Sequence, residues 1–362
     1  MSTWRMLILA GLINAVLATT VYAEETLIFA IDLIRHGDRT PIYDLPNFPY
    51  SWKEGLGELT AEGMNQEFQR GMQFRQKYIE QNHLLPPEYH VEAIYVRSSD
   101  INRTLMSAES VMMGLYPLGT GPHLSSTGKP ALPSAYQPIP IHTVPLDQDK
   151  LFISDQDKEH IQKILKQYVF TSKQWQQKTN ELQSKFKHWS EASGLPINSL
   201  DQTVVSLGNN LYIRKLHHVP LPKGISEQDA KEITATGIWA FSTAYQSKEI
   251  TDPVGHAMLS AMGNYFDQAR QHKTKLKYVL FSGHDSTIMC VLNTLGAPLI
   301  NDVPPYASDL NFSLYQNADN YYVKISFNGK PVIVPACHGN TCSLQQFLGL
   351  MSRTNGAMTV QS

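Results

Sequence analysis

Residues 27–41 read LIFAIDLIRHGDRTP, and this stretch decides the fold. Up to residue 34 it is apolar except for Asp32, which is typical of a strand buried on both faces of a parallel sheet. It then turns abruptly polar, and Gly37 and Pro41 shape a turn. Ligands of open α/β sheets bind beyond the carboxyl ends of the strands. The stretch therefore predicts a strand that carries a polar site at its end.

Two later segments repeat this pattern. Residues 91–96 are mostly apolar and are followed by polar residues 97–100, Arg-Ser-Ser-Asp. Residues 278–281 are apolar and precede residues 282–285, Ser-Gly-His-Asp. Carboxyl ends of parallel strands lie at one edge of a sheet. We therefore expect the three polar clusters to meet.

Helical patterns lie between the predicted strands. Thr60 is a candidate N-cap. The helix that it starts would bury a face containing Met64, Phe68, Met72, Phe74 and Ile79.

The middle of the chain is also helix-like. An amphipathic pattern runs from Ile161 to Val169, and Ser226 with Asp229 predicts a capped helix. Only Thr203–Leu207 and Leu211–Ile213 resemble strands in this region. If His217 and His218 also lie in a strand, their side chains point to opposite faces, and a metal ion bound by both is not expected.

These patterns predict an α/β fold: a mostly parallel sheet flanked by helices, with a smaller helical cap domain inserted. The core would comprise residues 24–147 and 253–362, and the cap residues 148–252. Residues 1–23 would be a signal peptide, because Arg5 precedes a short apolar run and small residues lead to Ala23, the expected cleavage point. The run is shorter than the roughly 20 residues that a membrane span needs. We therefore expect a periplasmic or secreted protein without a stable membrane anchor.

The composition narrows the choice of partners. The 362 residues carry a formal net charge of −2, and 17% are charged. Nucleic-acid binding driven by positive charge is therefore not expected. Of the 3 cysteines, Cys337 and Cys342 bracket a turn-like segment and predict a disulfide rather than a metal site, while Cys290 is expected to be a buried free thiol.

The polar residues after the strands indicate phosphate chemistry. The planar guanidiniums of Arg35 and Arg39 suit phosphate oxygens. They also favour the neutral form of His36, whose ring nitrogen can then attack phosphorus. His284 can hold a phosphoryl oxygen, and Asp285 can protonate a leaving group.

At this point the sequence resembles the histidine acid phosphatases, on the prostatic and lysosomal branch of the histidine phosphatase superfamily. The resemblance covers nearly all of the chain after the leader, although residues 155–248 match poorly. It is strongest in two blocks taken together, Arg35–Pro41, which reads Arg35-His36-Gly37-x-Arg39-x-Pro41, and Ser282–Thr287, which contains His284-Asp285. Further blocks follow in order: Trp52–Thr60, Ser98–Ala108, Gln137–Pro145, Pro304–Ser308 and Val334–Phe347.

The resemblance implies a role for each matching residue. His36 corresponds to the phosphorylated nucleophile and Asp285 to the proton donor. The phosphate-binding set would comprise Arg35, Arg39, Arg103 and His284. Arg75 aligns with a further arginine near the pocket of the family, but the spacing of its neighbours matches less well. The chain departs from the family in the residues after Asp285 and in having fewer cysteines than the vertebrate members, which leaves substrate range and quaternary structure open, a homodimer included.

The sequence thus predicts an exported acid phosphatase that hydrolyses small phosphomonoesters without metal or other cofactor. Phytases and sugar phosphatases share the same catalytic set and remain the alternative. A phosphate-binding protein without catalysis is a further alternative. A binding protein, however, would have no need for a nucleophilic imidazole beside a carboxyl donor.

Overall fold

The computed structural model describes residues 25–152, 158–337 and 339–352. The predicted signal peptide, residues 1–23, lies outside this range. No helix within the described ranges combines the length and the apolar character that a bilayer crossing requires.

A seven-stranded sheet forms the centre of the fold, with strand order β2-β3-β1-β4-β5-β6 and β7 paired with β5. The strands are β1 Thr26–Arg35, β2 Ile94–Ser98, β3 Tyr278–Gly283, β4 Asp309–Asn317, β5 Asn320–Phe327, β6 Lys330–Pro331 and β7 Thr341–Ser343. The predicted α/β class is confirmed. The sheet is mixed, however, and not mostly parallel: β1, β2 and β3 are parallel, whereas the remaining pairs are antiparallel. The difference arises because the chain after residue 308 forms hairpins, which need no crossover helix.

Helices cover both faces of the sheet. Among the described residues, the α-helices are α1 Ala61–Arg75, α2 Asn102–Leu115, α3 Lys158–Ile164, α4 Lys173–Ser193, α5 Gln202–Leu216, α6 Glu227–Ala244, α7 Lys248–Arg270, α8 Asp285–Thr294 and α9 Leu344–Ser352. Of these, α1, α2, α7, α8 and α9 pack on the sheet. β1 is almost continuously apolar because its alternate residues pack into two different hydrophobic clusters. Phe29, Ile31 and Leu33 pack into a cluster with α7, α8 and α9, while Ala30 and Ile34 pack into a second cluster with α1 and α2. Burial on both faces is what the sequence of β1 requires.

A third hydrophobic cluster joins α4, α5 and α6. Ile250, at the start of α7, belongs to this cluster, whereas Met258 in the same helix belongs to a cluster on the sheet. The boundary predicted between residues 252 and 253 therefore falls inside one continuous helix. The division into core and cap stays a prediction.

Three local predictions need correction. The strand-like segments 203–207 and 211–213 both lie in α5: Asp201 accepts from the backbone N of Thr203 at 2.8 Å, which caps the helix. The buried residues of α5 then recur at helical spacing, as Val204, Leu207, Gly208 and Leu211 do.

The second correction concerns β2, which begins at Ile94 because Val91 is exposed in a turn. The third concerns α1. Thr60 does cap this helix, but Met64 and Met72 are exposed, and Gly63 and Gly71 face the interior instead. Small residues allow α1 to pack closely against its neighbours.

The cysteines behave as predicted. Cys337 and Cys342 form a disulfide. Cys290 is a free, buried thiol in α8, and burial raises its pKa.

Candidate active site

Parallel pairing of β1 and β3 brings the two histidine motifs together. Arg35, the last residue of β1, is in register with Gly283, the last residue of β3. The next residues, His36 and His284, therefore lie side by side with ring centroids 5.6 Å apart. β2 is parallel to β3 on its other side, and α2 starts beyond it with Arg103 in its first turn. The three polar clusters thus meet at one sheet edge, as the sequence predicts.

Tight packing fixes the backbone that follows His36. A Cβ added at Gly37 would lie 2.4 Å from the backbone oxygen of Gly63 in α1. Only glycine fits there. The start of α1 is thereby pressed against the segment of residues 36–41, which we call the phosphate loop.

The His36 ring is held in one orientation. Its Nδ1 lies 2.8 Å from the Gly37 carbonyl oxygen. A carbonyl oxygen only accepts hydrogen bonds, so Nδ1 carries the proton and Nε2 of a neutral ring keeps its lone pair. Burial lowers the pKa of His36 well below its usual value, and Arg103, Arg35 and Arg39 lower it further. His36 is therefore neutral and has a free nucleophilic nitrogen.

Arg35 connects several parts of the site. Its guanidinium donates to the Pro304 carbonyl and lies 2.8 Å from Oδ2 of Asp285. It also stacks 4.2 Å above the Tyr306 ring centroid. Within the described residues, its buried Nε has no acceptor, and the same holds for Nε of Arg39. Buried donors of this kind suit an anionic ligand.

Arg39 and Arg103 approach the site from the phosphate loop and from α2. Arg39 Nη1 donates to the Thr40 carbonyl at 2.9 Å and to Asn209 Oδ1 of α5 at 3.3 Å. Arg103 Nη1 lies 3.4 Å from the Gly57 carbonyl oxygen. Together with Arg35, these residues place three permanent positive charges around His36.

His284 is neutral as well. Its Nε2 lies 3.0 Å from Ser99 Oγ, which in turn lies 2.8 Å from Thr104 Oγ1. Burial, followed by the charge of Arg103, lowers the pKa of His284 to about 3. The hydroxyl pair fixes the ring, so that Nδ1 is the nitrogen left for a ligand.

Asp285 is the first residue of α8. Burial raises the pKa of Asp285, but the guanidiniums of Arg35 and Arg39 outweigh burial, and the net shift is downward. Without a ligand, Asp285 is therefore a carboxylate paired with Arg35. A proton donor would have to gain its proton when an anion competes for that arginine.

Six of these residues line one end of a cavity of about 710 Å³, which we call the phosphate end: Arg35, His36, Arg39, Arg103, His284 and Asp285. Residues between 161 and 245, within the predicted cap, line another part of the cavity, which we call the cap end, with mainly apolar and aromatic side chains: Ile161, Leu165, Phe170, Trp175, Val205, Ile238, Phe241 and Tyr245. Asp201 and Asp302 also line the cavity. Among its described lining residues, the only arginines or lysines are Arg35, Arg39 and Arg103.

Arg75 does not reach this cavity. It ends α1, donates to the Leu115 carbonyl at 3.0 Å and lies 3.6 Å from Glu80. The helix begins beside the phosphate loop and runs away from it, and 15 residues of helix span about 22 Å. The assignment of Arg75 to the phosphate-binding set is therefore corrected.

The structure also adds residues that sequence reasoning missed. Tyr306 lies in a block that resembles the family, but no local pattern gives it a role. The same holds for Asp38. Asp38 Oδ2 accepts hydrogen bonds from Thr60 Oγ1 at 2.6 Å and from His217 Nε2 at 2.7 Å. His217 was expected in a strand, whereas it follows the last turn of α5.

One metal-like cluster occurs in the described part of the chain. Candidate ligand atoms of Asp38, Glu62 and His217 lie within 4.8 Å of one another. None of the three lines the cavity. The hydrogen bond between Asp38 and His217 accounts for the proximity of these two residues.

This chain is similar to known proteins. The family model described as histidine phosphatase superfamily (branch 2) matches residues 26–328. Bovine prostatic acid phosphatase is 29% identical over 92% of this chain and 86% of its own. Human lysosomal acid phosphatase is 30% identical over 90% of this chain and 77% of its own.

Solved structures show the same fold. A phytase from Klebsiella sp. ASR1 superimposes with a TM-score of 0.63 at 17% identity, over 91% of this chain and 96% of the phytase. The multiple inositol polyphosphate phosphatase of Bifidobacterium longum, solved with inositol hexasulfate, gives 0.59 at 12% identity, over 89% and 91% of the two chains. At these identities the likeness concerns the fold.

Proposed function

The chain belongs to branch 2 of the histidine phosphatase superfamily, and from this membership and its site we propose an acid phosphatase that hydrolyses small phosphomonoesters through a phosphohistidine. The observation that carries the proposal is a neutral, oriented imidazole among three arginines. The acid phosphatase activity named for its relatives supports the same reaction.

In the first step, Nε2 of His36 attacks phosphorus and the bond to the leaving oxygen breaks. Arg35, Arg39 and Arg103 stabilise the negative charge on the other phosphoryl oxygens. His284 Nδ1 contributes a further contact. No cofactor is needed in this scheme, because permanent guanidinium charges supply the electrostatic stabilisation.

Asp285 supplies the proton to the leaving oxygen. In the free site its pKa is lowered, so it must be protonated after the substrate binds. Phosphate oxygens compete with Asp285 for Arg35 and bring negative charge close to it, and both effects favour protonation. The dependence on a protonated carboxyl predicts an activity maximum on the acid side of neutrality.

In the second step, water attacks the phosphohistidine. Asp285, now a carboxylate, accepts a proton from that water, and the phosphorus–nitrogen bond breaks. Inorganic phosphate leaves, and His36 is neutral again. Protons and charges balance over the two steps.

The cap end of the cavity favours leaving groups without additional phosphates. Among the described lining residues of this end, the side chains are mainly apolar and Asp201 is acidic, so they do not attract further anionic groups. We therefore rank small monoesters above inositol hexakisphosphate, and the mainly apolar lining ranks aryl leaving groups above hydroxyl-rich sugars. The fold shared with phytases does not alter this ranking.

We also propose that the protein is exported. The signal-like residues 1–23 support this interpretation. The Cys337–Cys342 disulfide agrees with an oxidising compartment.

The test is hydrolysis of p-nitrophenyl phosphate, with and without EDTA, followed by rapid quenching and isolation of phosphorylated protein. We expect activity that survives chelation and a phosphate label that is labile in acid. His36→Ala should abolish both, while His123→Ala, a change at an exposed histidine outside the cavity, should affect neither. A label on serine would reject the mechanism. Metal-restored activity would reject metal independence and direct attention to Asp38, Glu62 and His217.

A further inference from the structure

The predicted cap contacts the phosphate loop through a half-buried histidine and a buried aspartate. His217, directly after α5, donates from Nε2 to Asp38 Oδ2 at 2.7 Å. The ring of Trp52 packs edge-on against His217, with centroids 5.6 Å apart. These contacts fix both the position and the orientation of the imidazole.

Asp38 is almost completely buried, with 1% of its side chain exposed. A buried carboxylate must be compensated by hydrogen bonds or charge. Thr60 Oγ1 and His217 Nε2 donate to Oδ2, and within the described part of the chain Oδ1 has no donor. Removing His217 would leave this carboxylate with one side-chain donor.

The backbone of Asp38 is equally constrained. Its N donates to Gln66 Oε1 at 2.9 Å, and its carbonyl accepts from the backbone N of Thr60 at 3.0 Å. Asp38 thus lies between Gly37, which is pressed against α1, and Arg39, which lines the cavity. A shift of Asp38 would move the guanidinium of the next residue.

Helix α5 holds the same loop at a second point. Asn209 Oδ1 accepts from Arg39 Nη1 at 3.3 Å. His217 and Asn209 are eight residues apart, or about two helical turns. The two contacts bind one face of α5 to the two successive loop residues Asp38 and Arg39.

We propose that His217 is a positioning residue, which holds the phosphate loop through Asp38 so that Arg39 meets the phosphoryl group. The inference rests on the proposed function, because it assigns a phosphate to this end of the cavity. His217 does not line the cavity. Its loss should therefore weaken phosphate binding by the same factor whatever the leaving group.

The decisive variants are His217→Leu, which removes the donor, and His217→Gln, whose amide nitrogen can take the place of Nε2. We expect His217→Leu to raise KM for p-nitrophenyl phosphate and for glycerol phosphate about 5–10-fold, to a similar degree. The inhibition constant of inorganic phosphate should rise by the same factor. His217→Gln should restore most of the loss. His218→Asn, at the exposed neighbouring histidine, is the control, because asparagine tolerates the positive φ of 54° at this position, and it should leave these constants unchanged.

Asp38→Asn provides a second variant if His217→Leu fails to fold. In a double-mutant cycle, changes at Asp38 and His217 should be strongly non-additive, because both break one contact. Equal effects of Leu and Gln at position 217, additive changes, or a loss that depends on the leaving group would each overturn the inference.

Calorimetric titration with inorganic phosphate separates this inference from the proposed function. If the wild-type protein binds phosphate without hydrolysing esters, the proposed function fails. A weaker binding of phosphate to His217→Leu, with recovery in His217→Gln, would still support the positioning role. Unchanged phosphate binding in both variants would refute it.

Discussion

The two ends of the cavity differ in charge and in how the chain builds them. The phosphate end has three arginines and two neutral histidines, and it is assembled from residues at or just beyond the ends of β1 and β3 and at the start of α2. The other end, the cap end, is mainly apolar and is assembled from residues between 161 and 245. We infer that the first end performs the chemistry common to the family, and that the second selects the leaving group.

Position, and not residue type, should decide which arginines belong to the phosphate end. Arg35→Met should lower kcat/KM for p-nitrophenyl phosphate about 10²–10³-fold, since it removes charge stabilisation and the partner of Asp285. Arg75→Met, the same change at the far end of α1, should stay within about twofold. Steady-state kinetics on both variants, with thermal unfolding to confirm folding, checks the contrast. Similar losses of kcat/KM in the two variants would show that Arg75 also takes part in phosphate binding.

The leaving group also tests the phosphate end. Asp285→Asn should slow phosphorylation by an alkyl monoester about 10²-fold or more, because a basic alkoxide needs a proton. Nitrophenolate departs largely without one, so the loss for p-nitrophenyl phosphate should be much smaller. The comparison requires single turnovers, because Asp285 also acts as the base in dephosphorylation. Equal losses would show that Asp285 is not the proton donor.

The sequence predicted the phosphate end better than the cap end, for a physical reason. In parallel strands, polar residues that follow buried apolar runs meet at one edge, so local patterns at Arg35 and His284 were sufficient. Asp38 and His217 are 179 positions apart in the sequence, and no local sequence pattern predicts the contact between them. At Thr203–Leu207, β-branched residues suggested a strand, whereas the Asp201 cap and helical burial determined a helix.

Burial of neutral histidines should make the phosphate end unstable in acid. The pKa of His284 is about 3 in the folded protein, against an ordinary value of 6.5. Between these values the unfolded chain binds a proton that the folded chain does not, so stability falls as the pH drops below 6.5. The contribution is at most about 1.4 kcal/mol per pH unit.

His284→Asn should therefore reduce the pH dependence of the free energy of unfolding. Urea denaturation in phosphate-free buffer at pH 6.5 and 4.5 measures it. Some dependence should remain, because the pKa of His36 is lowered in the same direction. Parallel curves for the variant and the wild type would contradict a neutral, buried His284.

The smallest effect is expected at the cap end, and there it should depend on the substrate. Phe241→Ala removes an aromatic side chain from the cavity lining. A large aryl group would then bury less apolar surface, and we expect KM for naphthyl phosphate to rise about 3–10-fold. Glycerol phosphate and the inhibition constant of inorganic phosphate should hardly change, because neither fills the apolar end. Phe327→Ala, at a half-buried phenylalanine outside the cavity, controls for general loosening of the fold. If Phe241→Ala weakened all three ligands equally, the two ends would not act separately, and the cap would position phosphate as well as select the leaving group.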